Sequence, residues 1–308
     1  MMAFSEILRA PFRSYLDIKI EKMKKFKVFN LFLFLVAALL FSPISAFSQE
    51  GQYPQRIVSL GPINTENVYL LGAQDRLVAN TSYCVHPVAA KEKVKIGSVM
   101  HFNIEQILSL QPDLILATGL TSPQQVAQLS ASGVRVVHFH QPSSFASICD
   151  HFLELGKLLG LEAKAREIIA EAQTEVRAIQ KRVKGLPPRK VFLQVGATPL
   201  FSSVDSSFTN DFIVLAGGIN IAAGKREGRY NYEMVTAQNP DVIIVAIMGS
   251  EGGMGSREKE EWQRFTPISA VQNGQVYVVD PDLICSPSPI TFVKGLEKIA
   301  KLIHPLEE

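Results

Sequence analysis

A pattern of 15 residues occurs twice in this chain, and it constrains the fold more than any other feature of the sequence. The copies span 102–116 and 230–244. In each copy a Pro-Asp pair begins nine residues after an Asn. Asn is a favoured helix N-cap and Pro ends a helix, so each copy predicts a short helix followed by a buried strand. A repeated helix–strand unit predicts two similar α/β lobes.

Short apolar runs alternate with helical patterns on either side of the first copy. Asn64 is a good N-cap and predicts a helix over 64–71 that stops at Gly72. Alternation of this kind is typical of parallel sheets covered by helices. The predicted strands are 56–60, 77–79, 114–117, 134–139 and, in the second half, 191–195.

Apolar residues recur at steps of three and four between positions 144 and 184. This period predicts a helix that ends near Gly160 and one long helix from about Glu162 to Val183, roughly 30 Å in length. We therefore predict two Rossmann-like lobes with parallel sheets, bridged by one long helix, with a ligand cleft between them. The predicted limits are 54–142 for the first lobe, 143–186 for the helical segment and 187–308 for the second lobe.

The N-terminal segment has the pattern of a cleavable signal peptide. Basic residues after Met23 precede an apolar run over 28–41, and small residues at 46 and 48 suit a cleavage site. We predict a signal peptide over residues 1–48, with Met23 as the working start. An uncleaved membrane anchor is the alternative, because the run nearly reaches the roughly 20 residues that a bilayer span needs. No Cys follows the run, so we expect no lipid anchor.

Charge and motifs argue against two other classes of function. The chain carries 31 Lys and Arg against 29 Asp and Glu, and it has no basic stripe, so nucleic-acid binding is not expected. No hydrolase or phosphate-loop motif occurs, but His138 and His140 leave a metal-dependent hydrolase as an alternative. A receptor for a bare metal ion is a second alternative, and it would need a cluster of His and carboxylate ligands.

Five segments in order resemble the cobalamin and ferric-siderophore substrate-binding proteins of ABC importers. They are RIVSLGPINTENVYLLGAQDRLVANTSYCVHP, FNIEQILSLQPDLILA, VFLQVGATPLF, FTNDFIVLAGGINIA and YNYEMVTAQNPDVIIV, and the resemblance covers 54–305. It implies a monomeric periplasmic receptor, not an enzyme, that hands a metal chelate to the membrane subunits. The transported ligand would contain Co or Fe, and no intrinsic cofactor is implied.

The resemblance also implies that one Glu in each lobe docks against Arg residues of the membrane subunits. By motif these are Glu105 and Glu233, at the same place in the two repeats. Arg can engage each carboxylate in a bidentate manner. The alternative is that both only complement the positive end of a helix.

Loops that follow strands should line the cleft. Tyr83 and Phe201 match positions where relatives place aromatic rings, although core packing is an alternative for both. Cobalamin-binding relatives often carry several Trp residues and siderophore-binding relatives carry Arg, whereas this chain has only Trp262 and no Arg over 285–289. The predicted ligand-binding residues are Tyr83, Cys84, Met100, Thr118, Phe201, Tyr230, Cys285 and Ser286.

Three cysteines remain, and two of them follow strands in opposite lobes. Cys84 and Cys285 could bind a soft metal, ligate the metal centre of a macrocycle or form a disulfide across the cleft. His86 is close enough in sequence to Cys84 to be a third candidate metal ligand. Simple burial of both thiols is the alternative, and Cys149 has the helical spacing of a core residue.

Overall fold

A five-stranded sheet forms the first lobe. The computed structural model describes residues 53–248 and 253–305, so the predicted signal peptide lies outside the described part of the chain. The elements of this lobe are β1 (Ile57–Ser59), α1 (Pro62–Leu70), β2 (Leu77–Asn80), β3 (Val94–Lys95), α2 (Ile104–Ser109), β4 (Leu114–Thr118), α3 (Pro123–Ala131) and β5 (Arg135–Phe139). The strands lie in the order β3-β2-β1-β4-β5, and all neighbours are parallel.

Two consecutive helices, α4 (Phe145–Leu158) and α5 (Glu162–Val183), connect the lobes. The N-terminal part of α5 packs Ala165 into the core of the first lobe, and its C-terminal part packs Val176 into the core of the second. Helix α4 is divided in the same way, with Phe152 in the first core and Ile148 in the second. The long helix predicted from the 3.6-residue period is therefore confirmed, and it spans about 33 Å at 1.5 Å per residue.

The second lobe repeats the arrangement with one departure. Its elements are β6 (Lys190–Gly196), β7 (Phe201–Ser202), α6 (Phe208–Leu215), β8 (Ile219–Asn220), α7 (Tyr232–Gln238), β9 (Val242–Val245), α8 (Met254–Trp262), α9 (Ser269–Gln272), β10 (Val276–Val278), α10 (Pro281–Ile284) and α11 (Pro289–Ile303). The strand order is β10-β9-β6-β7, and β8 also pairs with β6. The pairing of β6 with β7 is antiparallel, whereas the other pairings are parallel.

The two copies of the sequence repeat have the same local structure. Asn103 caps α2 by accepting a hydrogen bond from the Gln106 amide at 3.0 Å. Asn231 caps α7 by accepting one from the Met234 amide at 2.8 Å. Each side chain satisfies a backbone donor that the first turn of a helix leaves free.

The Asp of each Pro-Asp pair joins the repeat to the neighbouring strand. Asp113 accepts hydrogen bonds from the amides of Gln55 and Arg56, at 2.7 and 3.0 Å, just before β1. Asp241 accepts one from the Lys190 amide, at 2.7 Å, at the start of β6. The repeat therefore sets the register between the central strands of each lobe.

Helix α1 begins earlier than the sequence predicts. Its N-cap is Gly61 and its first residue is Pro62, whose fixed φ angle suits the first position of a helix. Asn64, the predicted N-cap, is instead buried within α1 and donates a hydrogen bond to the carbonyl of Ala117 at 3.1 Å. The prediction was wrong at this position because the Asn side chain bonds across to β4.

Within the described residues, no helix is long and apolar enough to cross a membrane. The strands that the sequence did not predict, β3, β7, β8 and β10, have only two or three residues each. Such runs are too short for an alternating or continuous apolar pattern to be recognised.

Candidate functional site

A cavity of about 550 Å³ lies between the two lobes. This volume is within the range of about 300–1,000 Å³ that is usual for small-molecule sites. The first lobe supplies most of the wall, and the second lobe supplies three residues. The lining residues are Pro62, Ile63, Tyr83, Ser98, Val99, Met100, His101, Thr118, Leu120, Gln141, Met248, Cys285 and Ser286.

Nearly all of these residues lie just beyond the carboxyl end of a parallel strand. Tyr83 follows β2, Met100 follows β3 and Gln141 follows β5. On the facing lobe, Met248 follows β9 in the same way. Because parallel strands end at one edge of a sheet, the fold gathers these loops at the cleft.

The wall of the cavity is mostly apolar, with His101 and several neutral polar side chains among its described lining residues. Among the described lining residues there is no Asp, Glu, Lys or Arg. Tyr83, Met100 and Leu120 expose 56, 61 and 62 % of their surface, which is unusual for large apolar side chains unless they meet a ligand or partner. The cavity therefore suits a ligand with a broad apolar face and no buried charge.

Five of the predicted ligand-binding residues lie together in this wall. They are Tyr83, Met100, Thr118, Cys285 and Ser286. The first three belong to the first lobe and the last two to the second, so both sides of the cleft are represented. Their assignment as ligand contacts stays a prediction.

The aromatic residues that the sequence assigned to the cleft from the second lobe do not line it. Tyr230 is buried, packs edge-on against Phe192 with ring centres 5.4 Å apart, and donates its hydroxyl to the Ile221 carbonyl at 3.1 Å. Phe201 lies in β7 and is outside the cavity wall. Trp262 is fully buried in the core of the second lobe.

Cys84 also differs from the expectation, because it lies in the interior of the first lobe rather than at the cleft. It is fully buried, and its sulfur is 3.2 Å from the hydroxyl of Thr65 and 3.2 Å from the hydroxyl of Thr81. Cys84 is therefore a packed core thiol outside the cavity wall.

Cys285 does line the cavity, but as a neutral thiol. Burial, with the charges of Asp282 and Asp280, raises the pKa of the Cys285 thiol to about 12. Its sulfur donates a weak hydrogen bond to the Ala246 carbonyl at 3.5 Å. Without a bound metal ion the Cys285 thiol is therefore protonated at neutral pH.

The three candidate metal ligands are not brought together. All three cysteines are free thiols, so Cys84 and Cys285 form no disulfide. His86 lies outside the cavity, with its Nε2 2.7 Å from a carboxylate oxygen of Asp282. In the part of the chain that the structure describes, no group of three or more His, Cys, Asp or Glu side chains could hold a metal ion.

Sequence reasoning missed several residues of the wall. Pro62 and Ile63 begin α1 directly after β1, Gln141 follows β5, and Met248 follows β9. The rule that ligands meet the carboxyl ends of strands would have found all four. The predicted aromatic contacts were chosen by their match to relatives instead, and two of them, Phe201 and Tyr230, lie outside the wall.

Glu105 and Glu233 occupy equivalent exposed positions. Each lies in the first turn of its helix, α2 or α7, two residues after the capping Asn. Both helices have an N-cap hydrogen bond, so the orientation of the first turn is fixed. This placement is compatible with docking and with the helix-dipole alternative.

Comparison with known proteins gives a family match over most of the chain. The model of the family described as periplasmic binding protein matches residues 57–283. An uncharacterised ABC transporter substrate-binding lipoprotein of Bacillus subtilis is 29 % identical over 260 residues, which cover 82 % of this chain and 81 % of the relative. A vitamin B12-binding protein of Yersinia pestis is 32 % identical over 206 residues, which cover 66 % of this chain and 73 % of the relative.

A solved structure shares the two-lobed fold. The periplasmic vitamin B12-binding protein of Vibrio cholerae superposes with a TM-score of 0.70 at 26 % identity. The match covers 81 % of this chain and 96 % of that protein. The predicted two-lobed fold class is confirmed by this likeness and by the sheets and bridging helices described above.

Proposed function

This chain belongs to the periplasmic binding protein family, and from this premise we propose that it is the substrate-binding component of an ABC importer. It captures a metal chelate in the cavity between its lobes and delivers it to the membrane permease. The relatives are named as substrate-binding and vitamin B12-binding proteins, which supports a receptor rather than an enzyme. The cavity with walls from both lobes carries the proposal.

The lack of Lys and Arg among the described lining residues favours a corrinoid over the other chelates. Haem carries two carboxylates and ferric catecholate siderophores are polyanions, so both need cationic partners when they are buried. A corrinoid carries amide side chains, which the hydroxyls and amide of Thr118, Ser286 and Gln141 can meet. Cobalt would then be part of the transported ligand, and the protein needs no cofactor of its own.

Glu105 and Glu233 are proposed to dock the receptor on the permease. One exposed carboxylate per lobe suits a partner with two equivalent halves, and Arg is the natural counterpart. The receptor acts as a monomer on the outer side of the cytoplasmic membrane. Export by the predicted signal peptide stays a prediction, and the Bacillus subtilis relative is described as a lipoprotein.

Titration of the purified protein with three chelates tests the ligand class. We expect cyanocobalamin, whose phosphodiester is balanced by its cobalt centre, to bind at least about tenfold more tightly than haem or a ferric tris-catecholate. The other two chelates carry net negative charge, and one unpaired buried charge already costs more than that factor. Calorimetry or quenching of Tyr and Trp fluorescence gives the three dissociation constants. Tighter binding of either anionic chelate would contradict the corrinoid assignment, and no binding of any chelate would overturn the ligand class.

A further inference from the structure

A second cavity, of about 460 Å³, lies beside the first and also has walls from both lobes. Helix α1 separates the two: Pro62 and Ile63 line the ligand cavity, whereas Glu66 and Tyr69 line the second one. In contrast to the ligand cavity, whose described lining has no Asp, Glu, Lys or Arg, this second cavity is lined by Glu66, Asp280, Asp282 and Lys294. On the second lobe its wall is formed by α10 and α11.

Among the described residues, two polar contacts cross from lobe to lobe at the wall of this second cavity. The Ser288 hydroxyl, at the N-cap of α11, donates a hydrogen bond to a carboxylate oxygen of Glu66 at 2.8 Å. His86 and Asp282 form the second contact, with 2.7 Å between the ring nitrogen and the carboxylate oxygen. Neither contact touches the ligand cavity.

Each of these four residues lies two or three positions from a residue of the ligand cavity. On the first lobe, Glu66 follows Ile63 by one helical turn and His86 follows Tyr83 by three residues. On the second lobe, Asp282 and Ser288 lie on either side of the cleft residues Cys285 and Ser286. The contacts therefore join two segments of the first lobe, 63–66 and 83–86, to the single segment 282–288 of the second lobe, and all three segments also contribute to the ligand cavity.

We propose that the Glu66–Ser288 and His86–Asp282 contacts form an interlobe clasp that fixes the width of the ligand cleft and slows ligand release. These residues are positioning residues, since they act through their cleft neighbours. The regulation of release rests on the proposed function, whereas the clasp itself does not.

The Glu66 contact should dominate the clasp. Its carboxyl is largely withdrawn from water, and this burial raises its pKa, while the hydrogen bonds from Ser288 and Thr291 and the charges of His86 and Lys294 oppose the rise. The side chains of His86 and Asp282 are 55 and 41 % exposed, so solvent screens that pair. A mostly buried hydrogen bond is weakened less by solvent than an exposed ion pair.

Distance measurement without ligand tests the clasp directly. Spin labels on cysteines introduced at Gln128 in α3 and Lys259 in α8, with the partly exposed native Cys285 replaced by Ser in every variant, report the separation of the lobes, since both sites are exposed. We expect the combined Glu66→Ala and His86→Ala change to broaden the distance distribution and shift it to longer values. Glu162→Ala is the matched control, because it removes an exposed ion pair with Arg166 inside α5. A distribution identical to wild type would overturn the clasp.

Dissociation of cyanocobalamin tests the consequence for release. We expect Glu66→Ala to raise the dissociation rate constant about tenfold with little change in the association rate constant. Glu66→Gln can still accept the Ser288 hydrogen bond and should stay within about twofold of wild type. Equal rates for Glu66→Ala and Glu162→Ala would refute the effect on release. Failure of wild type to bind cyanocobalamin would contradict the corrinoid assignment and leave the distance result standing.

Discussion

Reversing the charge of both docking carboxylates, with Glu105→Arg and Glu233→Arg, will abolish ligand uptake and leave ligand capture intact. Each reversal places a cation against the Arg residues proposed on the permease, and like charges at an interface cost several kcal/mol. We therefore expect transport to fall by at least about a hundredfold, since every 1.4 kcal/mol is a factor of ten. Uptake of radiolabelled cyanocobalamin in cells that express the importer measures the effect.

Two controls make this result specific to docking. The dissociation constant of the double variant should stay within about twofold of wild type, because both residues are exposed on α2 and α7 and absent from the cavity wall. The reversals Glu171→Arg and Glu175→Arg, at exposed positions of α5, change the net charge equally and should leave uptake unchanged. Normal uptake by the Glu105 and Glu233 variant would leave only the helix-dipole interpretation of these residues.

Filling the cleft from the second lobe should weaken ligand binding itself. Ser286 lines the cavity, and its small hydroxyl is near the thioether of Met248, at 3.8 Å. Ser286→Trp places an indole where the ligand must lie, and we expect affinity for cyanocobalamin to fall about 10- to 100-fold from overpacking alone. Calorimetry of the purified variant measures the loss.

The matched variant Ser286→Ala distinguishes the effect of added side-chain volume from the effect of losing the hydroxyl. It removes one hydroxyl and leaves the cavity open, so a loss of about fivefold or less is expected. Unchanged thermal stability of Ser286→Trp would show that the lobes remain folded. Wild-type affinity in Ser286→Trp would place the ligand outside this cavity.

Much of the fold could be predicted because it depends on local signals that recur. The capping Asn103 and Asn231, each followed by Pro-Asp, mark both lobes, and the apolar period marks α5 from Glu162 to Val183. Asn64 shows the limit of such signals. Its side chain could cap a helix or bond across to β4, and only the tertiary structure chooses the second.

The site was harder to predict, since burial depends on how the lobes pack. Tyr83 and Tyr230 both lie in connecting segments between regular elements, yet Tyr83 is exposed in the cleft and Tyr230 is buried in the core of the second lobe. Cys84, directly after Tyr83, points into the core because neighbouring side chains in the loop face opposite ways. The second lobe also contributes Met248 to the cavity wall, and no sequence motif identified this residue.

A crystal structure of the protein with cyanocobalamin tests the central claim most directly. We predict that the corrin ring lies between the lobes, in contact with Tyr83 and Met100 on one side and with Met248 and Ser286 on the other. A corrinoid bound to only one lobe, or on the outer surface of either, would contradict this account.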